Sequence, residues 1–153
     1  MTRKTKRIII VVVVLVICTG AAIGYKMYNK PFKDAMSGKA IVVTAEQLLA
    51  DFENDEVAAR EKYVPKSVGD KVLELSGQVK ETGINATGET FYVLKAGGEM
   101  AGVKCVMEKA KENIVIKTGE NIKIRGFCNG YLADEMIPGV AEVIVNRCKV
   151  VNE

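Results

Sequence analysis

VLELSGQVK at residues 72–80 and NIKIRGFC at residues 121–128 alternate apolar and polar residues with a period of two. In the first stretch Leu73, Leu75, Gly77 and Val79 share one face, and Glu74, Ser76, Gln78 and Lys80 share the other. In the second, Ile122, Ile124, Gly126 and Cys128 stand against Lys123, Arg125 and Phe127. Successive side chains of a strand point to opposite faces, so each stretch is a strand with one face on a core and one in water. Glycine inside such a strand weakens it and marks a sharp bend, which is what Gly77 and Gly126 would supply in a small barrel.

Three more strands follow from the same reading. Phe91–Leu94 comes after the turn-rich stretch at residues 82–89, and Gly97-Gly98 turns the chain towards Val103–Met107, where Val103, Cys105 and Met107 share a face. Residues 108–118 read as a short helix or loop, and a Pro138-Gly139 turn leads into Val143–Val150. Ahead of the strands the period is 3.6. Thr44-Ala45-Glu46-Gln47 is a capping box, and Leu48, Leu49, Phe52, Ala59 and Tyr63 form one stripe, with Glu56 and Arg60 paired outside and Pro65 as the stop. The acidic stretch Asp51–Glu56 reads as the solvated face of this amphipathic helix. The expected architecture is all-β with helical additions: a five-stranded barrel preceded by one amphipathic helix over residues 44–64.

Upstream the chain changes character. Between Arg7 and Lys26 lie eighteen residues without a charge, IIIVVVVLVICTGAAIGY, preceded by Arg3, Lys4, Lys6 and Arg7. At about 1.5 Å per residue such a helix covers roughly 27 Å, close to the hydrocarbon thickness of a bilayer. The basic flank keeps the N-terminus in the cytoplasm and sends the rest of the chain across, with Tyr25, Lys26 and Tyr28 as an interfacial rim. The expected organisation is a cytoplasmic stub and transmembrane anchor over 1–28, a tether over 29–43 and the barrel domain over 44–153. The expected location is the cell membrane, single-pass, with the membrane engaged through residues 8–25. A cleaved signal peptide is the competing reading, because Gly20-Ala21-Ala22 supplies small residues of the cleavage type. Leu15-Val16-Ile17-Cys18 matches a lipidation box only loosely, since Ile17 is not small.

Composition narrows the chemistry. Residues 1–30 hold six of the 22 Lys/Arg and none of the 19 Asp/Glu, which leaves the remaining chain 16 basic against 19 acidic residues, a net −3. A domain built on phosphate contacts shows a basic excess, so nucleic acid is disfavoured as a partner. Histidine is absent, which removes the commonest general base and metal ligand. The glycine turns lack phosphate-loop spacing, and the cysteines sit in strand-like alternations without C-x-x-C spacing. No enzyme, metal or cofactor is expected.

In order along the chain, LLADFENDEVAAREKY, VLELSGQV, GVKCVM, GENIKIRGFCNGYL and VIVNRCKVV resemble the tRNA_anti-like family, over residues 44–151. The element Gly126-Phe127-Cys128-Asn129-Gly130-Tyr131 is the most specific part. The resemblance implies an OB-fold domain of the kind found in exported or membrane-anchored bacterial proteins, named for similarity to anticodon-binding modules. An OB-fold binds through a groove with basic and aromatic side chains. The candidates here are Tyr92, Lys104, Lys123, Arg125, Phe127 and Tyr131, with parity placing Lys123, Arg125 and Phe127 outside the barrel. The expected role is a binding module for an envelope protein or a small ligand; single-stranded nucleic acid or oligosaccharide in the OB groove is the alternative. In an exported domain Cys105, Cys128 and Cys148 permit one disulfide. A hairpin turn centred on Pro138 sets Cys128 opposite Cys148 and makes that pair the disulfide candidate, with pairing through Cys105 or three buried thiols as the other outcomes.

Overall fold

The structure, a computed structural model, describes residues 3–28, 34–67, 70–108, 116–134, 136–137 and 139–151. It divides into two units, Met1–Phe32 and Lys33–Glu153. The first contains helix α1, Arg3–Tyr28. Its side chains are described from Val12 onward, and among the described residues no helix is long and apolar enough to cross a membrane. The Thr19 hydroxyl donates back along the helix to the carbonyls of Leu15, at 2.9 Å, and Val16, at 3.0 Å, so it carries no unmet polar demand.

The second unit contains β1 (Ala40–Thr44), α2 (Ala45–Asn54), α3 (Glu56–Tyr63), β2 (Val72–Ile84), β3 (Thr90–Lys95), β4 (Ala101–Met107), β5 (Asn121–Ala133) and β6 (Ala141–Val150). The sheet runs β1-β2-β3-β4-β6-β5, and pairing of β2 with β5 closes the last five strands into a barrel. Strand β2 serves two barrel neighbours because it bends. Its first half pairs with β5, from Leu73 opposite Gly126 to Gln78 opposite Asn121. Beyond an irregularity between Val79 and Glu81 its second half pairs with β3. The β4–β6 pair is parallel and the other barrel pairs are antiparallel. These are the five strands expected from the alternation. The two interior glycines sit at close approaches, Gly126 against Cys148 and Val145, and Gly77 against Ala45 and Leu94.

The barrel core is Leu73, Leu75, Val79, Leu94, Val103, Ile124, Val143 and Val145, all fully buried. Each such side chain contributes about 1.5–3 kcal/mol relative to exposure. Leu48, Leu49 and Phe52 of α2 and Tyr63 of α3 join the same cluster and cover one end of the barrel. The single helix expected over 44–64 is two. Asp55 takes an extended conformation that ends α2, and its carboxylate accepts from the Ala58 amide at 2.9 Å to start α3. Thr44 caps α2 as expected, its hydroxyl accepting from the Gln47 amide at 3.1 Å. The Glu56–Arg60 pair forms at 2.7 Å.

Part of the expected tether is structured. Ala40–Thr44 pairs in parallel with Val72–Ser76, which adds a sixth strand outside the barrel. Ahead of it a turn opens at Asp34, whose two carboxylate oxygens each accept from Lys149 Nζ at 2.9 Å, while the Met36 carbonyl accepts from Arg125 at 3.3 Å. Ala35 is buried beneath this turn. Residues 29–33 of the expected tether, residues 109–115 of the expected loop and Pro138 of the expected turn lie outside the described residues.

The β5–β6 register corrects the disulfide expectation. Cys128 stands opposite Val145, three residues along β6 from Cys148. Irregularities between Arg125 and Phe127 and between Cys128 and Gly130 displace the pairing, and Arg147 takes a left-handed conformation with φ 55°. All three barrel cysteines are buried free thiols.

Candidate ligand-binding surfaces of the barrel

One of the six candidate side chains belongs to the core, and a second packs against it. Tyr92 is 2% exposed and opposes Cys105 on the inner face, because it alternates with Phe91 and Val93. Tyr131 lies beyond the β5 irregularity, opposite Val143, and stacks on Phe52 with ring centroids 5.5 Å apart and planes 16° from parallel. Burial, then the nearby Glu53 and Glu56 carboxylates, push its hydroxyl pKa up. Its ring joins barrel to helix and is no stacking platform.

The other four stand on the outer wall, as parity expects for Lys123, Arg125 and Phe127, but not together. Lys104 of β4 holds its ammonium 4.7 Å from the Phe91 ring centroid and 3.9 Å from the Glu142 carboxylate. The Phe91 ring lies across Gly83, where a Cβ would come within 2.6 Å of its Cζ, so that glycine makes room for the ring. Two strands away on β5, Phe127 opposes Asn146 and is half-buried. Arg125 faces Glu74 across the β2–β5 pair and donates to it through Nη2 at 2.7 Å and Nε at 2.8 Å. Beside it Arg147 donates to Glu108 at 3.0 Å, and Lys149 lies 3.3 Å from the same carboxyl group. The Arg147 hydrogen bond, outweighing burial, holds the Glu108 carboxyl below its ordinary pKa.

Lys123 belongs to a different place. It opposes Ser76 and lines an open groove of about 660 Å³ across the outer face of β2 and the start of β5. Ser76, Gln78, Asn121 and Lys123 form the floor, with the start of α2 at Thr44–Glu46, Lys95 at the end of β3, and Val150 and Val151 around them. The Gln78 amide donates to the Gly119 carbonyl at 3.0 Å, tying the β2 floor to the turn that begins β5. Glu46, Ser76, Gln78, Lys95 and Asn121 are absent from the expected set. The alternation marked Ser76 and Gln78 as outward-facing, but only the path of the chain from β1 into α2 turns that wall into a groove.

The thiols are not poised for nucleophilic chemistry. Burial pushes Cys128 up to about 11, and burial, followed by the neighbouring Cys105 thiol, pushes Cys148 up as well. Among the described residues no group of three metal-ligating His, Cys, Asp or Glu side chains comes together.

Comparison of the sequence with curated proteins gives no significant match. Among solved structures the fold is similar to a Klebsiella pneumoniae lipoprotein for which nucleic-acid binding has been suggested. That likeness has 15% identity and a TM-score of 0.50, over 72% of this chain and 92% of the other, and speaks to the fold alone. A weaker likeness, at 13% identity and a TM-score of 0.36, is to an OBody bound to hen egg-white lysozyme, over 55% of this chain and 84% of that one. The tRNA_anti-like family model matches residues 1–148, from α1 into β6. With the five-stranded closed barrel in the order β2-β3-β4-β6-β5, that match places this OB-fold chain in the tRNA_anti-like family.

Proposed function

We propose that this protein is a single-pass membrane protein whose exported OB barrel binds an envelope protein or a small polar ligand, and that it is not an enzyme. One observation carries the choice of ligand class. The outer-wall cations Lys104, Arg125, Arg147 and Lys149 each have a carboxylate partner within 4.0 Å, in Glu142, Glu74, Glu108 and Asp34. A cation already neutralised gains little from a phosphate and releases few counterions from one. With Tyr92 in the core and the half-buried Tyr131 ring stacked on Phe52, the wall also lacks two of its expected base-stacking aromatics. The groove over Ser76, Gln78, Asn121 and Lys123 mixes amide, hydroxyl and single charges, a lining suited to a polar small molecule or a peptide segment.

Anchoring rests on the charge-free residues 8–25 and their basic N-terminal flank. The family match beginning at residue 1 supports treating that segment as part of the family's own pattern. Single-stranded nucleic acid or oligosaccharide in the OB groove is the second reading, favoured by Phe91 with Lys104 at its ring and by the suggested activity of the Klebsiella lipoprotein.

The test uses the full-length protein. A photo-crosslinking residue in place of Gln78, activated in intact cells, should yield a discrete adduct, and the same residue at Thr87 on the β2–β3 loop should not. Labelled single-stranded oligonucleotides should show no binding at physiological salt. Oligonucleotide binding that falls steeply with salt, together with no adduct at Gln78, would replace this reading with the second. Protease applied to intact spheroplasts should digest the barrel; protection would overturn the topology.

A further inference from the structure

The sheet order ends at β1, and among the described residues no strand and no other backbone hydrogen bond meets its far edge. An edge strand presents unpaired amides and carbonyls, and a charge, a proline or a bulge ordinarily keeps other chains from pairing with it. Ala40-Ile41-Val42-Val43-Thr44 has none of these: it is uncharged, lacks proline and keeps its register with β2 without a shift. Four of its five residues are β-branched, the type that suits a strand. Val43 is buried and Ile41 packs partly buried on the core, whereas Val42, on the opposite face, is 73% exposed. Lys39 and Glu46 flank the strand at its two ends, both exposed and neither in an ion pair among the described residues.

We propose that the far edge of β1 is an interaction surface whose occupant is β1 of a second copy of this chain, paired antiparallel about a two-fold axis through Val42. That register sets Val42 opposite the second copy's Val42, Ile41 opposite its Val43 and Ala40 opposite its Thr44, so all five residues find a partner. Opposed residues share a face of the sheet, so Ile41 and Val43 of both copies stay on the core side and the two exposed Val42 side chains cover one another. The charges select this occupant. Antiparallel pairing brings Lys39 of each copy to the Glu46 end of the other, twice in the dimer, whereas parallel pairing sets like charges together. Five residues a side bury less than the roughly 800 Å² per partner of a standard interface, so the pairing is weak between copies free in solution. It rests on the anchoring proposed above, which holds copies in one membrane with only residues 29–39 between α1 and β1, and raises their effective concentration as a linker does.

The experiment treats full-length Cys18→Ala/Val42→Cys protein in native membranes with a short, membrane-permeable bis-maleimide and resolves the products by denaturing electrophoresis. Cys105, Cys128 and Cys148 are buried, so the introduced thiol is the exposed one. A homodimer adduct is expected, and Val57→Cys in place of Val42→Cys, at a 78% exposed position of α3, should give none. Adding Lys39→Glu to the cross-linking variant should cut the yield several-fold, and adding Glu46→Lys to that should restore it, a rescue that damage to folding at either position would not produce. An equal adduct at Val57→Cys, an adduct with a different chain only, no adduct at all, or a yield indifferent to the charge reversal overturns the proposal. Carbonate extraction of the membranes reads the anchoring separately. If the protein is extracted, the anchoring reading fails, and cross-linking is repeated on concentrated purified full-length protein, where the homodimer adduct upholds the β1 pairing and its absence overturns it.

Discussion

Gly126→Ala should be the most damaging single-methyl change in the barrel. A Cβ at that position would stand 2.7 Å from Cys148 Sγ, 2.8 Å from Val145 Cγ1 and 3.1 Å from the Asn146 carbonyl oxygen. Ordinary carbon contacts lie near 3.5–4.0 Å, so two side chains must each retreat by most of an ångström. Neither has room, since Cys148 and Val145 are fully buried and the third neighbour is backbone. Overpacking of this kind costs about 1–3 kcal/mol, and two simultaneous clashes place this one near the upper end, about 2–3 kcal/mol. For a domain of this size that lowers the melting temperature by roughly 8–15 °C. Urea titration of the full-length protein in detergent and reductant, followed by tyrosine near-ultraviolet circular dichroism, measures it. Gly98→Ala is the control: nothing lies within 4 Å of its Cβ position, and its stability should stay within about 0.5 kcal/mol of the parent. Adding Cys148→Ala to Gly126→Ala should recover part of the loss, because one of the two clashing atoms is gone. If Gly126→Ala unfolds at the same urea concentration as the parent, the inward packing of β5 on β6 is wrong.

Leu75→Asp would bury an unpaired charge among Leu73, Val79 and Ile124 and should cost at least about 3 kcal/mol, read as loss of the cooperative transition. Arg125→Ala removes the two guanidinium contacts to the Glu74 carboxylate and the hydrogen bond to the Met36 carbonyl; it should cost about 1–2 kcal/mol and raise hydrogen exchange at residues 34–37, which unchanged exchange would contradict. The Tyr63 hydroxyl, at 2.5 Å, and then Lys62, at 2.9 Å, hold the Asp51 carboxyl below its ordinary pKa. A carboxylate depressed in the folded state stabilises fully above the unfolded value of about 3.9 and ceases to do so as pH falls through the folded value. Asp51→Asn should therefore narrow its stability deficit as pH is lowered through that window, and a deficit constant from pH 6 to pH 2 would refute the linkage.

The alternation of Leu73, Leu75 and Val79 against Glu74, Ser76 and Gln78 was sufficient to find β2 and orient it, because a period of two admits a single half-buried solution. Ile122 and Ile124 did the same for β5, and the Thr44 capping box marked the start of α2. These are local properties: side-chain alternation and a cap need only a few consecutive residues. The sequence also carried the charge arithmetic that separates a basic N-terminal segment from an acidic barrel. The break at Asp55 was locally written in Asn54-Asp55 but overshadowed by the stripe from Leu48 to Tyr63. What depended on pairing between distant segments was not legible. One added residue on a strand flips the faces beyond it, so the irregularities in β5 and β6 moved Tyr131 inward and exchanged Cys148 for Val145 opposite Cys128. Parity alone cannot see a bulge. The carboxylate partners of Lys104, Arg125 and Lys149 come from residues 38, 51 and 115 positions away, respectively. Only the closed barrel decides that these cations are neutralised, and only the turn from β1 into α2 makes a groove of Ser76, Gln78 and Lys123.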